Sequence, residues 1–205
     1  MAMTDLQARH DTLAAALWPR AGRLGEMSAL LRAALLAVAG TLLLYASAKI
    51  QVPFYPVPIT MQTFAVLVIG MAYGWRLGGG TVLFYLAQGA AGLPVFAGTP
   101  EKGLGLAYMA GPTGGYLLGF LLAALLVGWL AERGWDRSVV KTLLAMVLGT
   151  AIIFIPGVLW LGGLIGWDKP VLDLGLYPFL PGAAFKIGLA AAVLPLAWKA
   201  LSRRA

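Results

Sequence analysis

Apolar residues run in blocks along this chain. Six blocks stand out, at about 30–50, 59–74, 77–91, 113–131, 139–164 and 178–201. A membrane-crossing helix takes roughly 20 residues, within a range of about 17–25, and such runs are its signature. The expected fold is therefore an all-α membrane protein of six transmembrane helices. The second and third blocks are short, so they are expected to pack inside the bundle or to extend into structured loops. Pro156 and Pro195 should kink the fifth and sixth helices or free a carbonyl. Gly78, Gly79 and Gly80 leave the start of the third helix open.

The polar positions between the blocks set the orientation. With the N-terminus inside, the inner segments carry Arg9, Arg20, Arg23, Arg32, Arg76, Arg133, Arg137, Lys141, Lys199, Arg203 and Arg204. The outer loops carry Lys49, Lys102 and Lys169. Basic residues favour the cytoplasmic side, so both termini are expected there, in a multi-pass protein of the cell membrane. Trp75, Trp129 and Trp198 near inner span ends, and Trp167 near an outer one, read as interfacial anchors.

Residues 1–28 form a separate cytoplasmic segment. Its charges break the continuous apolar core that a signal peptide needs. Leu6, His10, Leu13 and Leu17 share a face at helical spacing. The segment is either an interfacial helix or a loose tail. Residues 29–205 make the six-helix substrate-binding domain.

Composition narrows the class. The chain is 60% hydrophobic and 11% charged, where a soluble domain carries about 25% charge. Its net charge of +7 is accounted for by membrane orientation, which removes the nucleic-acid reading. Without cysteine, and with His10 as its lone histidine, it holds no disulfide framework, no thiolate metal site and no histidine catalyst inside the bilayer. No phosphate-binding loop or nucleophile elbow is present, and no carboxylate pair lies within the spans. The chain reads as a binding protein rather than an enzyme, with no metal and no cofactor.

Inner loops are short and charged. Outer loops, at 52–58, 92–112 and 166–177, are longer and rich in Pro, Gly and aromatics. A concave, mostly apolar site with few polar groups is what a small ligand needs, so the pocket is expected at the outer face. In the first loop Pro53, Pro56 and Pro58 hold an extended strap whose Phe54 and Tyr55 suit an apolar ligand. Thr60, Gln62 and Thr63 open the next helix, either facing a ligand or satisfying helix-end backbone groups. Phe96 belongs to the next outer loop. Tyr85 and Gln88 share a face, for a ligand or for an interhelical hydrogen bond. Tyr116 faces either the pocket or the headgroups. Lys186 is a cation about 8 Å into the sixth helix at ~1.5 Å per residue, costly there unless it snorkels or finds a partner. Ala29, Ala33 and Ala37 let a neighbouring helix come close, as internal packing or as a docking stripe. Gly111, Gly115 and Gly119 repeat that spacing, and their loop context points to backbone freedom.

At these residues the chain closely resembles the biotin-specific substrate-binding (S) component of energy-coupling-factor vitamin transporters, the BioY family. The matching segments are Val57-Pro58-Ile59-Thr60-Met61-Gln62-Thr63, Gly92-Leu93-Pro94-Val95-Phe96, Gly111-Pro112-Thr113-Gly114-Gly115-Tyr116, and Phe179-Leu180-Pro181-Gly182 followed by Lys186. The resemblance covers the chain from about residue 29 onward. It implies six membrane helices, a biotin pocket near the outer face, a membrane scaffold (T) component and two ATPase subunits. It implies that Lys186 contacts the ligand and that Ala29, Ala33 and Ala37 meet the scaffold. Where the family often has an acid, three residues before the lysine, this chain has Ala183. That removes an acceptor for the biotin ureido N–H groups and leaves Gln88, Asp168 or Asp173 to replace it. An S component for another vitamin, a solitary biotin transporter and a structural membrane protein are the rival readings.

Overall fold

The structure is a computed structural model that describes residues 12–17 and 26–202. Among the described residues, five elements are long and apolar enough to cross a membrane. They are α2 (Glu26–Lys49), α3 (Gln62–Ala90), α5 (Gly114–Ala131), α6 (Val139–Ile165) and α8 (Leu180–Ser202). Shorter pieces are α1 (Leu13–Leu17), α4 (Gly105–Met109) and α7 (Val171–Gly175). Strands β1 (Gln51–Val52) and β2 (Ile59–Thr60) pair antiparallel, Gln51 opposite Thr60, and fold the 51–60 loop into a hairpin.

The second and third apolar blocks both fall within α3, and Gly74 divides them. Its φ of 80° and ψ of 173° are non-helical, a conformation open to glycine because it lacks a Cβ. The element folds back on itself there. In a straight helix Gln62 and Tyr85 would lie about 34 Å apart at ~1.5 Å per residue, yet their side chains are 2.7 Å apart. Likewise, a Cβ on Gly78 would come within 3.0 Å of the Gly70 Cα. The glycine run therefore does not set the helix start. Gly78 lets the arms of α3 close together, and a Cβ on Gly79 would strike Leu125 of α5.

The arms of α3 pack centrally against α5, and α5 against α6. Gly115 and Gly119 lie inside α5, not in a loop. A Cβ on Gly119 would stand 2.7 Å from the Ile153 Cα, and one on Gly115 would strike the Pro156 carbonyl. Close helix approach explains this pair, correcting the expectation of backbone freedom.

One end of the bundle gathers the 51–60 hairpin and the segments 91–113 and 166–179. The opposite end gathers Gly74, Glu132 and a short 3-10 turn, Trp135–Arg137. There Trp198 donates to Asp136, and the Arg137 guanidinium lies 4.3 Å from the Trp198 ring. Trp198 thus anchors α8 to protein, which corrects its reading as a purely interfacial anchor. Trp75, Trp129 and Trp167 are exposed.

At that end α1 is wedged against α3 and α8. Its Leu13 and Ala14 are buried while Leu17 is exposed, and Arg32 donates to the Ala14 carbonyl at 2.7 Å. Leu6 and His10 lie outside the described residues. On α2, Ala33 and Ala37 are half-buried and Ala29 is exposed. Ala33 and Ala37 continue the row of Thr41, Leu44 and Ala48, which are buried. Leu31, Leu35, Val38 and Leu42 occupy the exposed face of the same helix.

Candidate functional site

The loop-bearing end holds a cavity between the start of α3, the start of α5, α6 and the start of α8. Its walls are apolar and aromatic, with Phe120, Phe154 and Phe179 facing Val57 and Pro58. Polar groups enter from Thr60, Gln62, Thr63, Tyr108, Thr113, Tyr116 and Lys186. That mixture is the composition expected of a site for a small, largely apolar molecule with a polar head. The free space is about 50 Å³, well below the roughly 300 Å³ of small ligand sites. A ligand of two fused rings therefore needs the lining side chains or the 51–60 hairpin to move. A larger groove of about 720 Å³ lies between α6 and α8. Its lining is apolar apart from Thr150, so it offers a polar head group almost nothing to bind.

Each polar group has a local reason for its place. Lys186 emerges from the first turns of α8 and donates to the Thr60 carbonyl and, at 3.0 Å, to Thr63 Oγ1. An ammonium has three N–H donors, so two are held by protein at the cavity wall. The lysine therefore points inward to the start of α3 and does not snorkel. Thr60 Oγ1 also accepts from the Gln62 backbone N–H at 3.2 Å, satisfying a helix-start donor. The helix-end role of Thr60 and its place on the cavity wall thus coexist.

Tyr116 lines the cavity and donates to the Gly175 carbonyl at 2.6 Å, tying α5 to α7. Its ring stacks on Phe179, 6.3 Å between centroids, and Phe54 meets Phe179 edge-on at 6.2 Å. Phe54 thus closes the aromatic wall from outside, while Tyr55 is exposed. Phe96 is buried beneath the cavity, stacked on Tyr108 at 5.0 Å and edge-on to Tyr85 at 5.5 Å. Tyr85 is fully buried and bonded to Gln62 and to the Val95 carbonyl. Phe96 and Tyr85 therefore support the lining rather than form it. Gln88 is outside the lining, and its backbone carbonyl accepts from the Leu93 N–H at 3.1 Å.

Ala183 does line the cavity, so the position at which the resemblance implied an acid carries only a methyl group on the cavity wall. Asp168 is solvent-exposed and paired with Lys169 at 3.2 Å. Asp173 is exposed on α7. Neither of them, nor Gln88, is among the residues that line the cavity. Several residues escaped the sequence reading, among them Phe120 and Phe154 of the cavity wall. Tyr108 lines the cavity and donates to the Ala97 carbonyl at 2.7 Å. Lys49 holds the 96–99 segment through the carbonyls of Phe96 at 3.3 Å and Thr99 at 3.0 Å. A basic residue at a helix C-terminus beside a Pro/Gly-rich loop was the available signal for Lys49.

Residues 19–203 match the BioY family. The chain belongs to the BioY family. Among curated proteins it is similar to the probable biotin transporter BioY of Pyrococcus horikoshii, 38% identical over 65% of this chain and 75% of that one. It is also similar to the biotin transporter BioY of Thermotoga maritima, 37% identical over 75% of this chain and 88% of that one. Its fold matches a crystal structure of the S-component for biotin from an ECF-type ABC transporter. The TM-score is 0.68 at 23% identity, covering 84% of this chain and 93% of that one; at that identity the likeness speaks for the fold. As a BioY-family member the chain is a multi-pass membrane transport protein, not an enzyme.

Proposed function

We propose that this chain binds biotin in the loop-end cavity as the substrate-specific component of an ATP-driven vitamin uptake transporter. The observation that carries the reading is the cavity itself. In a BioY-family chain, an aromatic wall, a lysine and a glutamine converge at the end of the bundle where the long loops meet. An apolar wall suits the ring system and alkyl chain of biotin, and the polar groups suit its urea and carboxylate.

In this reading the arms of α3 cross the membrane separately, giving six crossings and placing both termini on the cytoplasmic side. The reversal at Gly74 supports it, as does the gathering of Arg76, Arg133 and Arg137 at the end away from the cavity. The cavity then opens at the outer face. With no phosphate-binding loop of its own, the chain depends on a membrane scaffold and two ATPase subunits for energy. The scaffold would meet α2, the least buried of the long helices.

Titration of labelled biotin into the purified chain in detergent, without nucleotide, tests the reading. Saturable binding that unlabelled biotin competes and other vitamins do not is the expected result. Competition by a different vitamin would reassign the ligand, and concentrative uptake by this chain alone in liposomes would overturn the dependence on ATPases.

A further inference from the structure

The hydrogen bonds around Tyr85 fix the direction of the Gln62 amide. Tyr85 has one hydroxyl hydrogen. The Val95 carbonyl, 2.7 Å from its oxygen, can only accept, so the hydrogen goes there. Gln62 also lies 2.7 Å from that oxygen, and the remaining contact has to be donated by Gln62. Its Nε2 therefore faces Tyr85 and its Oε1 faces away. Among the described residues no protein donor meets this Oε1, nor is it sealed away as an orphaned buried atom. It opens on the cavity that Gln62 lines.

The neighbourhood gives this oxygen a purpose. No carboxylate lines the cavity. The hydroxyl hydrogens of Tyr108 and Tyr116 are committed to the Ala97 and Gly175 carbonyls. Beside Gln62 lies the Lys186 ammonium, held by Thr60, two residues before Gln62, and by Thr63, the residue after it. An oriented acceptor thus stands next to a cationic donor. A cyclic urea presents the matching pair, N–H beside C=O.

Resting on the reading that the cavity takes biotin, we propose that Gln62 Oε1 accepts a ureido N–H of the ligand, with Tyr85 as the positioning residue that keeps the Gln62 amide from turning over. Gln62 then supplies the acceptor that Ala183 cannot, and recognition of the urea runs through α3 as well as α8. A flipped amide would present N–H to N–H, so Tyr85 contributes to specificity without touching the ligand.

The test compares biotin with analogues methylated in turn at each ureido nitrogen, titrated into wild type, Gln62→Leu and Tyr85→Phe, with thermal melting in detergent as the check on folding. Leaving a buried acceptor unpaired costs about 1–3 kcal/mol, so wild type should prefer biotin to one of the analogues by on the order of 5- to 150-fold at 1.4 kcal/mol per decade. In Gln62→Leu that preference should fall to near unity, because a substitution and a ligand change that remove the same bond do not add. In Tyr85→Phe, which removes a single oxygen atom and carries the test if Gln62→Leu does not fold, the preference should shrink. If both variants weaken biotin and the analogue by the same factor, the residues are structural and the proposal fails. If wild type does not bind biotin at all, the parent reading fails with it.

Discussion

The ends of this bundle handle their polar groups in opposite ways. At the loop end, side chains donate to backbone carbonyls around a space: Lys186 to Thr60, Tyr108 to Ala97, Tyr116 to Gly175, Lys49 to Phe96 and Thr99. At the other end side chains meet each other as well as the backbone. Trp198 donates to a fully buried Asp136, Arg137 covers the Trp198 ring, and Thr142 donates to the Trp135 carbonyl at 2.9 Å. Burial pushes the Asp136 carboxyl above its ordinary range, opposed by the Trp198 hydrogen bond. The first arrangement holds walls apart and leaves lone pairs and a donor facing inward. The second clamps α8 to the turn between α5 and α6. Binding should therefore be sensitive at one end and stability at the other.

The largest effect is expected where α5 meets α6 at the loop end, beside the cavity-lining Tyr116. Gly115→Leu puts a side chain into the backbone of α6, and overpacking costs typically 1–3 kcal/mol or more. Folded protein recovered in detergent should fall sharply, with binding lost as a consequence. Normal yield and melting of that variant would show that α5 and α6 can separate, and the frame for both ends would be wrong.

Next comes Lys186→Ala. Hydrogen bonds from charged donors contribute about 1.5–3 kcal/mol, so biotin affinity should drop by roughly 10- to 150-fold at 1.4 kcal/mol per decade. Calorimetric titration reads it. Unchanged affinity in a folded variant would confine the lysine to holding Thr60 and Thr63.

Asp136→Ala sharpens the contrast from the other side. Removing the acceptor of the half-buried Trp198 N–H should cost about 1 kcal/mol of stability, seen as a lower melting temperature. Biotin affinity should hold within about threefold (roughly 0.7 kcal/mol). A loss of affinity as large as that of Lys186→Ala would mean that the ends are coupled. The smallest effect on ligand binding is expected for Ala33→Leu, whose half-buried position tests whether the alanine row packs internally or meets a partner. Loss of assembly with binding kept would favour the partner.

Much of this was legible in the sequence, for physical reasons. Hydropathy runs report which segments prefer lipid, so the spans emerged within a few residues of α2, α5, α6 and α8. A lone cation inside a span is costly wherever it lies, so Lys186 stood out before its partners were known. The pattern could not show which helix faces which. The second and third blocks looked merely short, and only the geometry at Gly74 reveals them as arms of one reversing element. Phe96, Tyr85 and Gln88 share a loop end with the cavity, yet depth separates them, and depth depends on packing across helices. The Gly115–Gly119 spacing was visible, but close approach and backbone freedom share that signature. Gln62 was singled out by its place at a helix start; the direction of its amide depends on Tyr85, which lies 23 positions along the chain.

The central claim is that the ligand occupies the loop-end cavity. Because the chain contains no cysteine, single cysteines can report position without background. Cysteine substituted at Thr113, which lines the cavity and not the groove between α6 and α8, and at Ser138, at the opposite end, would each be treated with a small thiol reagent, with and without biotin. Biotin should slow modification at position 113 and leave position 138 unchanged. Protection at 138 alone, or no protection at 113 under conditions where biotin binds, would contradict the account.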